Sequence, residues 1–166
     1  MPQSLQIRLA GKYIFLAVLL MFSQLHMALA ETSISSDKKG VAIDGYDAVA
    51  YFVEGKPALG SEKITHVWQG ASWRFASVEN RDKFAANPEK YAPQYGGYCA
   101  YAMSGGGFAA GDGERWRIVD DKLYLNNNWF AEKLWHQDIS GNIRDANEHW
   151  PKLNPIINHA LTADKP

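Results

Sequence analysis

The chain has 166 residues, with 17 basic against 18 acidic side chains, one cysteine and an aromatic content of 13%. So even a charge balance gives no electrostatic reason to expect nucleic acid or an anionic membrane surface as a partner. A single cysteine excludes an internal disulfide framework, and the aromatic-rich, moderately charged composition excludes an intrinsically disordered chain.

The first thirty residues read as a targeting segment. Arg8 and Lys12 precede an apolar run from Tyr13 to Leu25, and Ala28-Leu29-Ala30 stands before Glu31. A basic start, an apolar middle too short to span a bilayer comfortably and an A-x-A exit make a secretory signal peptide over 1–30. An uncleaved anchor is the lesser alternative, because no stop-transfer run follows. The expected location is the periplasm or beyond, with no membrane span left after cleavage. Without Arg8 and Lys12, residues 31–166 carry 15 basic side chains against 18 acidic ones. They are enough for one domain with a sizeable core.

Residues 31–40 are polar and rich in Ser and Lys and read as a flexible leader. The domain is expected over 41–153. Ala48 to Val53 (AVAYFV), Ile64 to Gln69 and Ser72 to Ala76 are rich in β-branched and aromatic residues and read as strands, with Gly70-Ala71 as a hairpin turn. Ser77 can cap a helix from Val78 to about Asn87, ended by Pro88. The second half repeats this order without repeating its sequence. Trp116 to Val119 and Lys122 to Asn126 read as a hairpin around Asp120-Asp121, and the polar turn at Asn126 to Asn128 starts a helix with Trp129, Phe130 and Leu134. Ile139, Ile143, Ala146 and Trp150 form one apolar stripe on a last helix that Pro151 stops. Residues 154–166 read as a loose tail. Helices and antiparallel hairpins around one core predict an α+β domain, with no repeat of solenoid type.

Two stretches carry a family resemblance. "IDGYDAVAYF" (43–52) and "WRFASVENRDKFAANPEKY" (73–91) resemble the YHS domain, a small α+β module. The G-Y-D-x-V-A-Y-F start, the Y-G-G-Y-C-A segment and the W-x-I-x-x-x-L-Y-L-N hairpin are similar to secreted bacterial YHS-domain proteins, across nearly all of residues 31–166. The resemblance implies an association with metal ions, for many such domains place two cysteines in an aromatic-Cys-x-x-x-Cys segment and a Cys-Gly-Met on the first strand. The matching positions here are Ala76 and Asn80, and Gly45-Tyr46-Asp47-Ala48. The soft thiolates that select copper(I) or zinc are therefore missing from those places.

Cys99 is the remaining thiol. In one reading, Cys99 and Met103 lie on one face of a short helix and offer sulfur ligands to copper or another transition metal, with a histidine completing the set. His66 is the candidate taken forward, beside His136 and His149. In the other, favoured reading, Cys99 is a small buried hydrophobe. A thiol enzyme ranks last, since the neighbours Tyr98, Ala100 and Tyr101 are neutral and do not lower a thiol pKa. The stretch "SGGGFAAGDGE" (104–114) lacks the Lys-Ser/Thr of a phosphate loop and reads as a surface loop able to close over a ligand. Asp44 and Asp47 read as turn residues, while the G-Y-D signature marks Tyr46 and Asp47 as candidate ligand-binding residues. The expected function is a non-enzymatic module that binds a metal ion or small ligand through Tyr46, Asp47, Cys99 and Met103. The alternative is an envelope interaction module whose exposed tryptophans, Trp129 and Trp135, contact a partner protein.

Overall fold

In the computed structural model, residues 33–163 are described; the stretch 1–30, expected to be a secretory signal, lies outside them. Among the described residues, six α-helices, two short 3-10 helices (Ile43–Gly45 and Gln94–Gly97) and two two-stranded antiparallel sheets form an α+β arrangement, as the sequence predicts. In chain order the α-helices and strands are α1 (Ala50–Val53), β1 (Ser61–Trp68), β2 (Ala71–Phe75), α2 (Val78–Ala86), α3 (Pro88–Tyr91), α4 (Ala100–Ser104), β3 (Asp112–Val119), β4 (Lys122–Asn126), α5 (Trp129–Trp135) and α6 (Ile139–Ala163). No helix among the described residues is long and apolar enough to cross a membrane.

Both hairpins turn through two residues in the left-handed region, Gln69-Gly70 and Asp120-Asp121. This backbone matches the strand twist, and Gly, Asn and Asp adopt it most readily. The first turn thus sits one residue earlier than Gly70-Ala71. The caps follow the sequence: Ser77 Oγ accepts from the Asn80 N–H at 3.1 Å, and Asn128 Oδ1 accepts from Phe130 and Ala131 at 3.0 Å. Pro88 ends α2 and also opens α3, where its missing N–H costs nothing.

Four expectations are corrected. The stretch AVAYFV is not a strand: its Ala50–Val53 portion is helical, because Asp47 supplies a side-chain cap that outweighs the β-propensity of Val, Tyr and Phe. Pro151 does not stop the last helix. α6 runs through Pro151 and Pro155 to Ala163, and Ile157 is buried in the core. Each proline removes one helical donor, but the apolar stripe continues beyond them through Leu153 and Ile157 and still packs. Residues 154–163 are therefore helix rather than loose tail. The leader is also docked from Ser33 to Ser35, all three residues being buried.

The two halves of the domain are structural copies. Each boundary of β1, β2 and the start of α2 recurs 51 residues later, Ser61 at Asp112, Trp68 at Val119, Ala71 at Lys122, Phe75 at Asn126 and Val78 at Trp129. The strand irregularity falls between Ser61 and Thr65 in one half and between Asp112 and Trp116 in the other. Long-range bonds repeat too: Gly60 donates to the Gly45 carbonyl and Gly111 to that of Gly97. So does the aromatic stacking of hairpin on helix, Trp73 on Phe84 at 4.9 Å and Tyr124 on Trp135 at 5.5 Å. In sequence the copies share Gly-Tyr-x-Ala-x-Ala, at 45–50 and 97–102, and Ala-x-Gly, at 58–60 and 109–111, and little else.

The core has two clusters, and the second hairpin contributes to both, with Leu123 and Leu125 in the first. Trp73, Phe75 and Phe84 anchor the first cluster, while Met103, Tyr124 and Trp135 anchor the second together with Ala146 and Ile157 of α6. Tyr51 joins the halves, stacking on Trp116 at 5.2 Å and donating its hydroxyl to the Gly113 carbonyl at 2.9 Å.

Candidate functional site

Asp47 precedes α1 and is fully buried, with 0% exposure. Its Oδ1 accepts from the N–H groups of Val49 (2.9 Å) and Ala50 (3.3 Å), the pattern of a helix N-cap. Its Oδ2 accepts from the Ala76 N–H at 2.8 Å and the Asn80 Nδ2 at 2.7 Å. Ala76 and Asn80 are the positions where the resembled family carries cysteines, and both turn toward one carboxylate. Four donors satisfy this buried oxygen pair and clamp α1, the end of β2 and the first turn of α2 together. Asp47 has no open lone pair directed at solvent and acts as a fastener.

Tyr46 is half-buried against the first core cluster. Its hydroxyl donates to Glu114 Oε1 at 2.8 Å, and its ring lies so close to Gly113 that an added Cβ would come within 2.3 Å of Cδ2. The Glu114 hydrogen bond, then partial burial and the charges of Glu114, Asp112 and Asp44, push its phenol up to about 12. A phenol held this way stays protonated and is a poor base at neutral pH.

Cys99 occupies in the second half the place that Asp47 holds in the first. It is the N-cap of α4, its sulfur accepts from the Ala102 N–H at 3.4 Å, and its thiol lies 3.7 Å from Asn126 Oδ1. It is 1% exposed, and Met103 is fully buried against α6. The core reading of Cys99 therefore matches the geometry. His66 sits on β1 with its ring 6.1 Å from Phe84 in the first cluster, away from the Met103 cluster. His149 is nearer, with Nδ1 3.2 Å from the Met103 carbonyl, yet it meets backbone oxygen and not sulfur. His136 accepts from Arg117 Nε at 3.0 Å. Among the described residues no three His, Cys, Asp or Glu side chains assemble into a metal-holding group. Tyr46, Asp47, Cys99 and Met103 thus each take separate partners.

The glycine-rich stretch is partly fixed. Cys99 donates its N–H to the Ala109 carbonyl and Tyr98 bridges Ala110, while Gly105 to Phe108 face solvent. Asp112 to Glu114 belong to β3 and not to the loop. A cleft of about 540 Å³ lies elsewhere, between the β3–β4 turn and the start of α6, with Val119, Ile139 and Ile143 among its apolar lining. Of its polar groups, His136 holds Arg117 and Asp138 Oδ1 accepts from the Gly141 N–H at 2.9 Å.

The most exposed aromatic pair stands at the start of α5. Trp129 is 63% and Phe130 56% exposed, with ring centroids 5.8 Å apart at 75°. Their backbone is not loose, for Asn128 caps the helix, Asn127 Nδ2 donates to the Ala110 carbonyl at 2.8 Å, and Arg115 pairs with Glu132 at 3.6 Å. The matching positions in the first half are Val78 and Glu79, so the aromatic pair belongs to one copy only. Trp135, expected to be exposed beside Trp129, is instead fully buried, because it and Ala131 take the inward face of α5 and Trp135 stacks on Tyr124. The Glu114 partner of Tyr46, 68 residues away, had no sequence signal. The chain matches no family model, and no curated protein or solved structure matches it.

Proposed function

We propose that this is a secreted, non-catalytic binding module of YHS type that attaches to another protein of the cell envelope through Trp129 and Phe130. The observation that carries this reading is the solvent exposure of two adjacent large rings on a helix that is capped and pinned. Leaving such area in water is unfavourable, and aromatic anchors on rigid backbone dominate protein interfaces. The leader-like segment 1–30 and its A-x-A exit support the location. The separate environments of Tyr46, Asp47, Cys99 and Met103 favour a contact surface over a metal or small-ligand pocket, since both sulfurs are sealed from solvent.

The test is capture from an envelope extract with the wild-type chain and with Trp129→Ala and Phe130→Ala. Both substitutions are expected to leave stability within about 0.5 kcal/mol, as surface changes do. They should nevertheless abolish retention of a specific protein. Retention unchanged by both substitutions, with the fold intact, would count against this surface.

A further inference from the structure

The two halves differ at the turn end of their hairpins. The last strand pair is Trp68 with Ala71 in the first half and Val119 with Lys122 in the second. Trp68 lays its indole beside the stack of hairpin on helix, 5.8 Å from Trp73 and 5.8 Å from Phe84. The matching rings in the second half are Tyr124 and Trp135, and the smaller Val119 packs against their cluster. The wall that follows also matches: Asn87 Oδ1 accepts from the Lys90 N–H at 3.3 Å, and 51 residues on Asp138 Oδ1 accepts from the Gly141 N–H at 2.9 Å. The cleft of about 540 Å³ lies here, with Val119, Ile139 and Ile143 on its lining. It is the place that the first half fills with an indole of its own.

Trp135, in the cluster behind these residues, is fully buried, and its indole N–H is the one buried side-chain donor without an acceptor among the described residues. The ring at its place in the first half is Phe84, which has no donor. An aromatic ring, unlike an aliphatic body, offers a π-face to such an N–H. The charged groups on the lining are carboxylates. His136 accepts from Arg117 through Nε2 and so carries no charge in this arrangement, while Asp138 caps the start of α6 and offsets its positive end. The charge left for a ligand to meet is that of Asp120. We propose that this cleft, where α5 ends, binds a small planar aromatic amine, with its ring in the place of the Trp68 indole and its ammonium toward Asp120. The site goes beyond the contact surface at Trp129 and Phe130, which stands where α5 begins, and does not depend on it.

Tryptamine, an indole that carries an ammonium, is titrated into the folded protein while the Ile139 and Ile143 methyl groups are followed by NMR. Saturable shifts of these methyls are expected, with a Kd of about 1 mM or tighter for a ligand of this size. Indole-3-acetate, the same ring with a carboxylate, should bind about five-fold more weakly or worse. Val119→Trp places an indole where the first half has one, and should raise the urea midpoint and abolish the tryptamine shifts. Asp120→Asn keeps a residue that tolerates the left-handed backbone of this turn, and should weaken tryptamine by about three-fold or more. Protection of Cys99 from alkylation reports that a variant has folded, and Asp120→Asn decides if Val119→Trp fails that check. Absence of saturable shifts at Ile139 and Ile143, or tryptamine binding that persists in folded Val119→Trp, would overturn the site. Equal affinity for indole-3-acetate, or no loss in Asp120→Asn, would overturn the assignment of an amine.

Discussion

Replacing Asp47 should destabilise the domain in a graded order that its four hydrogen bonds dictate. Asp47→Ala strands the N–H groups of Val49, Ala50 and Ala76 and the amide of Asn80 in a site with 0% exposure, and removes the atoms that fill it. A buried donor without an acceptor costs about 1–3 kcal/mol. With partial relaxation the total is about 4 kcal/mol, a large share of a domain's 5–15 kcal/mol. Asp47→Asn keeps the shape and one oxygen, but turns an NH2 group toward the Ala76 N–H and Asn80 Nδ2. Asn80 can rotate its amide and offer oxygen, whereas the Ala76 N–H cannot move, so the cost drops to about 2 kcal/mol. Asn80→Ala removes a single donor and should cost about 1–2 kcal/mol. Urea unfolding followed by tryptophan fluorescence measures all three, provided the slope m is unchanged. An Asp47→Asn protein within 0.5 kcal/mol of wild type would refute the fastener role.

Three further outcomes are expected. Cys99 should resist a small alkylating reagent in the folded protein and react only after denaturation, with copper(I) making no difference; rapid labelling suppressed by copper(I) would return the metal reading to first place. Gly113→Ala should lower stability by about 2 kcal/mol or more, because its Cβ would lie 2.3 Å from the Tyr46 ring, and a neutral result in urea would mean that the halves are not held by this contact. Burial raises the phenols of Tyr51, Tyr95, Tyr98 and Tyr124, and the Glu114 hydrogen bond with burial raises that of Tyr46. The unfolded chain releases these protons near pH 10, so above that pH the folded chain binds more protons and loses stability as the pH rises. For Tyr46 this loss runs from 10 to about 12. The urea midpoint should therefore be lower at pH 11 than at pH 9, and Glu114→Gln should bring one phenol of the ultraviolet titration back toward 10.

Elements whose signals are local were legible in the sequence. The Asp120-Asp121 turn and the caps at Ser77 and Asn128 depend on residues a few positions apart, and the hairpins and helices they bound form where expected. Strand propensity misleads at 48–53 because it describes a half-buried pleated surface, while here one buried aspartate dictates the backbone. Pro151 was read as a stop because the proline rule concerns the helix alone, and the packing of Ile157 that outweighs it is tertiary. The candidate site was less legible still. Asp47 was singled out, but its partners Ala76 and Asn80 lie 29 and 33 residues on, and no local pattern links a carboxylate to those donors. The duplication leaves its sequence trace in Gly-Tyr-x-Ala-x-Ala and Ala-x-Gly and little more, because the same stacking geometry tolerates Trp on Phe in one copy and Tyr on Trp in the other.

The hydrogen bond that docks Ser33 on Asn154 joins positions 121 apart in the chain. Hairpins and capped helices form from neighbours and need little chain closure, whereas this contact closes a loop of nearly the whole domain, at the greatest entropic cost. Folding should therefore end at the docked Ser33–Ser35 segment and unfolding begin there. Amide hydrogens of Ser33 and Ser35 are expected to exchange earlier than those of β2 and β4, even though both serines are buried in the finished structure.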